Sequence, residues 1–170
     1  MIFLCGIHGS GKSYLCSEIC KHIPIKYYTA SDIIGKYQGE VYENSKYISD
    51  VEANQQILIQ GVSILNNTEQ YILDGHFCLL NNQKQITRVP LYVFQELNPQ
   101  LILIKMSEPE VIRNRLLIRD NCTYSLELID KFQIEEFLYA CEIAKTLGVK
   151  IVEITDDTSI DFIIEKIRRI

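Results

Sequence analysis

The chain reads as a single α/β domain, a three-layer sandwich whose five-stranded parallel sheet carries helices on both faces. Short, wholly apolar β-type runs recur between helical stretches, and a glycine-rich loop joins the first of these runs to the first helix. Strands covered on both faces read as continuous apolar runs rather than as alternating ones. Their alternation with helices is the pattern of a parallel sheet. A length of 170 residues is enough for one domain with a full core and too short for two ordinary ones. We see no internal repeat, linker or low-complexity tract.

Met1 to Cys5 is the first buried strand, and Tyr14 to Ile23 the first helix. Lys26-Tyr27-Tyr28-Thr29 is a short second strand, followed by Ser31-Asp32, which caps a short helix. Lys36 to Lys46 is polar, follows Gly35, contains Gly39 and reads as a loop. Asp50 to Asn66 has a helical apolar face through Val51, Ile57, Leu58, Val62 and Leu65. Tyr71-Ile72-Leu73 is the third strand and ends at Asp74-Gly75-His76, after which Phe77 to Arg88 reads as an irregular loop. Pro90 opens a helix that ends before Pro99. Leu101 to Ile104 is the fourth strand. Ser107-Glu108-Pro109-Glu110 is a capping box that starts a helix to about Arg119. A polar hinge, Asp120 to Ser125, leads into a long helix ending near Leu147-Gly148. Lys150 to Ile154 is the fifth strand and Ser159 to Ile170 the last helix.

The loop Gly6-Ile7-His8-Gly9-Ser10-Gly11-Lys12-Ser13 matches G-x-x-x-x-G-K-S in full, between a strand and a helix. Glycines let the backbone curl so that successive N–H groups point at phosphate oxygens, and the helix behind adds its N-terminal donors and positive dipole end. Gly6, Gly9, Ser10, Gly11, Lys12, Ser13 and Tyr14 are therefore expected against ATP. Lys12 would reach the β- and γ-phosphates, and the Ser13 hydroxyl would ligate Mg²⁺. Tyr71-Ile72-Leu73-Asp74 is a hydrophobic strand followed by an acid, which places Asp74 beside that magnesium. In a parallel sheet ligands sit outside the carboxyl ends of the strands. The phosphate loop, Thr29 to Asp32, Asp74 to His76 and Lys105-Met106-Ser107 all fall there.

Arg115 and Arg119 lie four apart before the hinge and face one way, with Arg113 roughly opposite. Arginines clamp transferring phosphoryl groups because they stay charged and donate bidentately. A hinge that carries them over a site is the working part of a lid. Lys12, Asp74, Arg115 and Arg119 are thus the expected catalytic set. Ser31, Asp32, Lys36, His76 and Arg88 are the candidates for holding the acceptor.

Formal net charge is −5 with no basic run, which speaks against nucleic-acid polymers and anionic membranes as partners. No apolar stretch approaches the ~18 residues of a membrane span, and Met1 to Cys5 runs straight into the phosphate loop without a leader pattern, so a cytoplasmic monomer is expected. Six cysteines include no C-x-x-C pair. Cys16 and Cys20 share a helix face near His22, where packing is the expected role and zinc is not.

These residues resemble the nucleoside monophosphate kinases, most closely the archaeal-type adenylate kinases and their bacterial relatives. The resemblance is carried by Gly6 to Ser13, Asp74-Gly75-His76, Val89-Pro90-Leu91 and Glu96-Leu97-Asn98-Pro99. It continues through Glu110-Val111-Ile112, Arg115-Leu116, Arg119-Asp120 and Phe132-Gln133, spanning Met1 to about Ile154. It implies the P-loop NTPase fold, a mobile acceptor region around residues 32–66, and a short lid near 113–124. It also implies transfer of the ATP γ-phosphoryl group to a nucleoside monophosphate. The chain departs from that family in three places. Ala30-Ser31-Asp32 stands where the family has Thr-Gly-Asp and an arginine, the lid is poor in arginine, and Glu136-Phe137 replaces an Asn-Arg pair. Glu135 and Glu136 would repel an anionic acceptor if they faced the site. The missing acceptor-side arginines leave a kinase of a non-nucleotide small molecule as an alternative, and the acidic pair with the sparse lid leaves an ATP-binding or ATPase switch without an acceptor.

Overall fold

The computed structural model describes the backbone of residues 1–41, 50–65, 69–81, 83, 85–121 and 123–170, without the side chains of 38–41, 50–51 and 120. The expected loop at Lys36 to Lys46 therefore lies partly outside the described residues, as do Asn66 and Cys122.

Five strands form one wholly parallel sheet: β1 (Ile2–Cys5), β2 (Lys26–Thr29), β3 (Tyr71–Asp74), β6 (Leu101–Lys105) and β7 (Lys150–Ile154), in the order β2-β3-β1-β6-β7. All five are where the sequence predicts them. The order places β1 at the centre, so the phosphate loop leaves the sheet between β3 and β6. Alternate side chains of the central strands feed two cores. Phe3, Cys5, Leu73, Ile102 and Ile104 face one way, packed under α3 (Asp50–Ile64), α4 (Leu91–Leu97), α5 (Pro109–Asp120) and α6 (Leu126–Leu147). Ile2, Leu4, Ile72, Leu101 and Leu103 face the other way, covered by α1 (Lys12–His22) and α7 (Ile160–Ile167). Each such buried side chain contributes about 1.5–3 kcal/mol. Among the described residues no helix is long and apolar enough to cross a membrane.

Three local readings change. The stretch after Phe77 is a β-hairpin, β4 (Cys78–Leu80) paired with β5 (Ile86–Arg88), not an irregular loop. Its turn has no glycine; Asn81 Oδ1 instead accepts the N–H of Gln83 and of Gln85, both at 2.9 Å. The helix after β2 runs from Ala30 to Val41 (α2), through Gly35 and beyond Lys36. Its cap is Thr29, whose Oγ1 accepts the Asp32 N–H at 3.0 Å, rather than Ser31. Ile33 and Tyr37, four apart and buried, anchor it. α5 begins at Pro109 with Glu108 at the N-cap and no side-chain cap, because the Ser107 hydroxyl is turned to the phosphate loop instead.

Serine caps the N-termini of α6 and α7. The Ser125 and Ser159 hydroxyls accept the N–H of Leu128 and Phe162, and Gly148 closes α6 at φ 68°. Cys16 lies in the core, and the Cys20 thiol donates to the Ile25 carbonyl at 3.1 Å.

Candidate active site

The phosphate loop takes its shape from glycines in conformations other residues rarely adopt, with φ +138° at Gly6, +83° at Gly9 and +98° at Gly11. A Cβ at Gly6 would lie 2.5 Å from the Lys105 carbonyl oxygen, so only glycine fits the start of the loop. Lys12 opens α1 and is 7% exposed. Its Nζ donates to the Gly6 carbonyl at 2.8 Å and the Ile7 carbonyl at 3.4 Å, and lies 3.6 Å from Asp74 Oδ1. The Ser10 hydroxyl is buried without a partner.

A loop of positive-φ glycines and a buried lysine at a helix N-terminus fits the phosphates of a nucleotide. Ser13 and Asp74 stand at the same rim, as Mg²⁺ would need. Burial raises the Asp74 pKa, while the adjacent Lys12 charge pulls it back.

A cleft of about 710 Å³ opens over this loop. Gly9, Gly11, Lys12, Ser13, Tyr14, Arg115 and Arg119 line its phosphate end, with Asp74 and His76 beside them. The other end has a different character. Its floor is apolar, from Phe3, Leu58, Val93, Phe94 and Leu97, and its polar groups are Thr29, Ser31, Asn54 and Gln55. The α3 helix thus walls the cleft with amides.

Arg115 reaches the loop directly. Its Nη1 donates to the Gly9 and Ser10 carbonyls, both at 3.2 Å, and its Nη2 lies 3.9 Å from Asp156 Oδ1. Asp156, just past β7, accepts from Lys105 Nζ at 2.6 Å and from the Ser107 hydroxyl at 3.0 Å. Burial would lift the Asp156 carboxyl, but those hydrogen bonds and the Lys105 and Arg115 charges outweigh it and hold the pKa low. Gln133 on α6 completes the support. Its amide donates to the Ser107 carbonyl at 2.9 Å and accepts the Ser107 N–H at 3.1 Å. Asp156 and Gln133 carry no phosphate motif of their own; only the strand ends and the Phe132-Gln133 pair pointed toward them.

His76 lines the cleft and its ring lies 4.3 Å from that of His8. Burial, with the Lys12 charge and His8, pushes its pKa well below the usual histidine value. Nδ1 of His76 is buried without a partner.

Other expected site residues are elsewhere. Gly6 and Ser10 shape the loop from behind and do not line the cleft. Asp32 and Lys36 are exposed on α2 and are not among the lining residues; Lys36 Nζ sits 5.1 Å from the Tyr37 ring centre. Arg88 belongs to the hairpin, not to the acceptor pocket. It donates to Glu135 at 2.7 Å and to Glu142 at 2.8 Å, and its guanidinium lies over the Tyr139 ring at 4.5 Å.

The Glu135-Glu136 pair does not face the acceptor either. Glu135 is spent on Arg88, and Glu136 is fully buried, accepting backbone N–H groups of Gly6, Phe77 and Cys78.

Among solved structures, a gluconokinase from Sinorhizobium meliloti 1021 is similar, with a TM-score of 0.54 and 13% identity over 97% of this chain and 87% of that one. That likeness shows the fold, the P-loop α/β sandwich seen here. No curated protein gives a sequence match. Residues 5–131 match the family described as AAA domain, a span that includes the whole phosphate loop, Asp74, Arg115 and Arg119. The chain belongs to the AAA domain family.

Proposed function

We propose that the chain is an ATP- and Mg²⁺-dependent phosphotransferase that moves the γ-phosphoryl group of ATP to a small-molecule acceptor. The observation that carries this reading is the two-ended cleft. Lys12, Arg115 and Arg119 gather at the phosphate loop, while the remaining space has separate walls of its own. That space supports an acceptor held beside the phosphates. Lys12 and the loop amides stabilise charge on the β- and γ-phosphates, and Arg115 and Arg119 hold the transferring group. Bound Mg²⁺ supplies further neutralisation of the phosphates, with Ser13 and Asp74 as the side chains to hold it. The acceptor oxygen attacks the γ-phosphorus, the bond to the β-bridging oxygen breaks, and ADP leaves.

Resemblance to the adenylate kinases makes a nucleoside monophosphate the first acceptor to test. A second reading, a kinase of a sugar acid or a nucleoside, is favoured by one observation. Among the described residues lining the cleft, every lysine and arginine lies at the phosphate end, so the described part of the acceptor end offers no cation for a second phosphate. Gluconokinase as a structural neighbour points the same way. A switch without an acceptor loses its support, because the acidic pair is turned away from the site.

ADP formation from Mg·ATP, alone and with monophosphates, nucleosides and sugar acids, tests the reading. One acceptor is expected to raise the rate strongly, and Lys12→Ala to remove about 10²–10³-fold of it. A slow rate that no acceptor raises, or a Lys12→Ala protein with unchanged turnover, would overturn it.

A further inference from the structure

Glu136 stands midway along α6, wholly buried, with each oxygen of its carboxylate engaged by main-chain donors. Oε1 accepts the N–H of Gly6 at 3.1 Å and of Phe77 at 3.0 Å, while Oε2 accepts the N–H of Phe77 at 3.1 Å and of Cys78 at 2.6 Å. Gly6 is the first residue of the phosphate loop, and Phe77 directly follows His76. One side chain therefore joins three segments: the exit of β1, the turn between β3 and β4, and the helix that follows the arginine-bearing hinge. An apolar residue here would leave three buried N–H groups unsatisfied. A glutamine would turn an NH₂ toward one of them.

We propose that Glu136 is a positioning residue: its ionised carboxylate holds Gly6 and the His76 turn in the arrangement that grips nucleotide phosphates, and passes the position of α6 to the loop. The proposal rests on the nucleotide-binding reading given above. Burial pushes the Glu136 pKa up to about 7, against the pull of the three amides and of Lys12. The sign of the pH effect follows. Above that value both oxygens accept; below it one becomes a donor facing an N–H, and the grip loosens.

The charged and titratable groups facing Glu136 are Lys12 from α1, Cys5 from β1 and Cys78 from β4. Burial pushes the Cys5 thiol far up and the Cys78 thiol to about 12, so neither takes part near neutral pH. Glu135, its neighbour on α6, points outward to Arg88.

Calorimetric titration of the protein with Mg·ATP at fixed free Mg²⁺, from about pH 6 to pH 9, tests the proposal. Wild type is expected to lose about ten-fold in affinity between pH 8 and pH 6, following the ionised fraction of a group titrating near neutrality. Glu136→Gln should bind about ten-fold more weakly at pH 8 and show no such fall. Glu136→Asp, which keeps the charge but withdraws it by one methylene, should be weakened yet retain the pH dependence. Should Glu136→Gln fail to fold, the wild-type and Glu136→Asp curves decide. Tight wild-type binding that is flat with pH, or a Glu136→Gln curve parallel to wild type, overturns the proposal alone. No wild-type binding at any pH overturns the nucleotide reading and this proposal with it.

Discussion

Arg88 and Arg115 show how one residue type separates into two roles by what surrounds it. Arg115 donates to two loop carbonyls inside the cleft and stands within reach of Asp156. Arg88 is 43% exposed and engages Glu135, Glu142 and the Tyr139 face on the outside of the hairpin. Exposed ion pairs contribute only about 0.2–1 kcal/mol each, and stacking on the ring adds a comparable amount. Arg88→Ala should therefore lower stability in urea by about 1 kcal/mol while leaving kcat and KM for the true acceptor unchanged. A KM raised by ten-fold or more would instead return Arg88 to the acceptor pocket, where the sequence had suggested it.

At the level of the elements, the contact between α2 and α3 turns on a missing side chain. A Cβ at Gly61 would lie 2.4 Å from Ile33 Cγ2 and 2.9 Å from the Tyr37 ring. Both partners are buried anchors of α2, so neither can move aside freely. Gly61→Ala should push the two helices apart at a cost of about 1–3 kcal/mol, outweighing the gain in helix propensity of about 1 kcal/mol. Equilibrium unfolding in urea reads the sign directly, and a stabilised Gly61→Ala would show that the pair relaxes without strain.

This close approach also explains what could be read along the chain and what could not. Continuous apolar strands such as Leu101 to Ile104 declare themselves locally, because burial on both faces leaves no polar positions. The extent of α2 does not, since Gly35 argues against a helix that Ile33 and Tyr37 secure only by packing on α3. The hairpin was hidden for the same kind of reason. Asn81 forms its turn through side-chain bonds in place of the expected glycine.

Across the whole molecule, the parallel sheet brings the site together and makes it legible. Strand ends meet at one rim whatever the details of packing, so Lys12, Asp74 and the arginines could be grouped from sequence order alone. Glu136 and Asp156 could not, because their partners are far away in the chain. Gly6 is 130 residues from Glu136, and Lys105 is 51 from Asp156. The same convergence ties ligand binding to global stability. The phosphate end is built from β1, α1, β3 and α5, and these elements close around both cores. A nucleotide that holds them together binds the folded chain and not the unfolded one. Mg·ATP at a hundred times its Kd should then stabilise the fold by about 2.7 kcal/mol. For a domain of this length that corresponds to a rise in Tm of about 5–10 °C. Lys12→Ala should abolish most of the rise, while Arg88→Ala should keep it, because only the first residue touches the loop. Equal shifts in both variants would mean that the nucleotide binds away from the phosphate loop, and no shift in the wild-type protein would mean that the loop does not bind it at all.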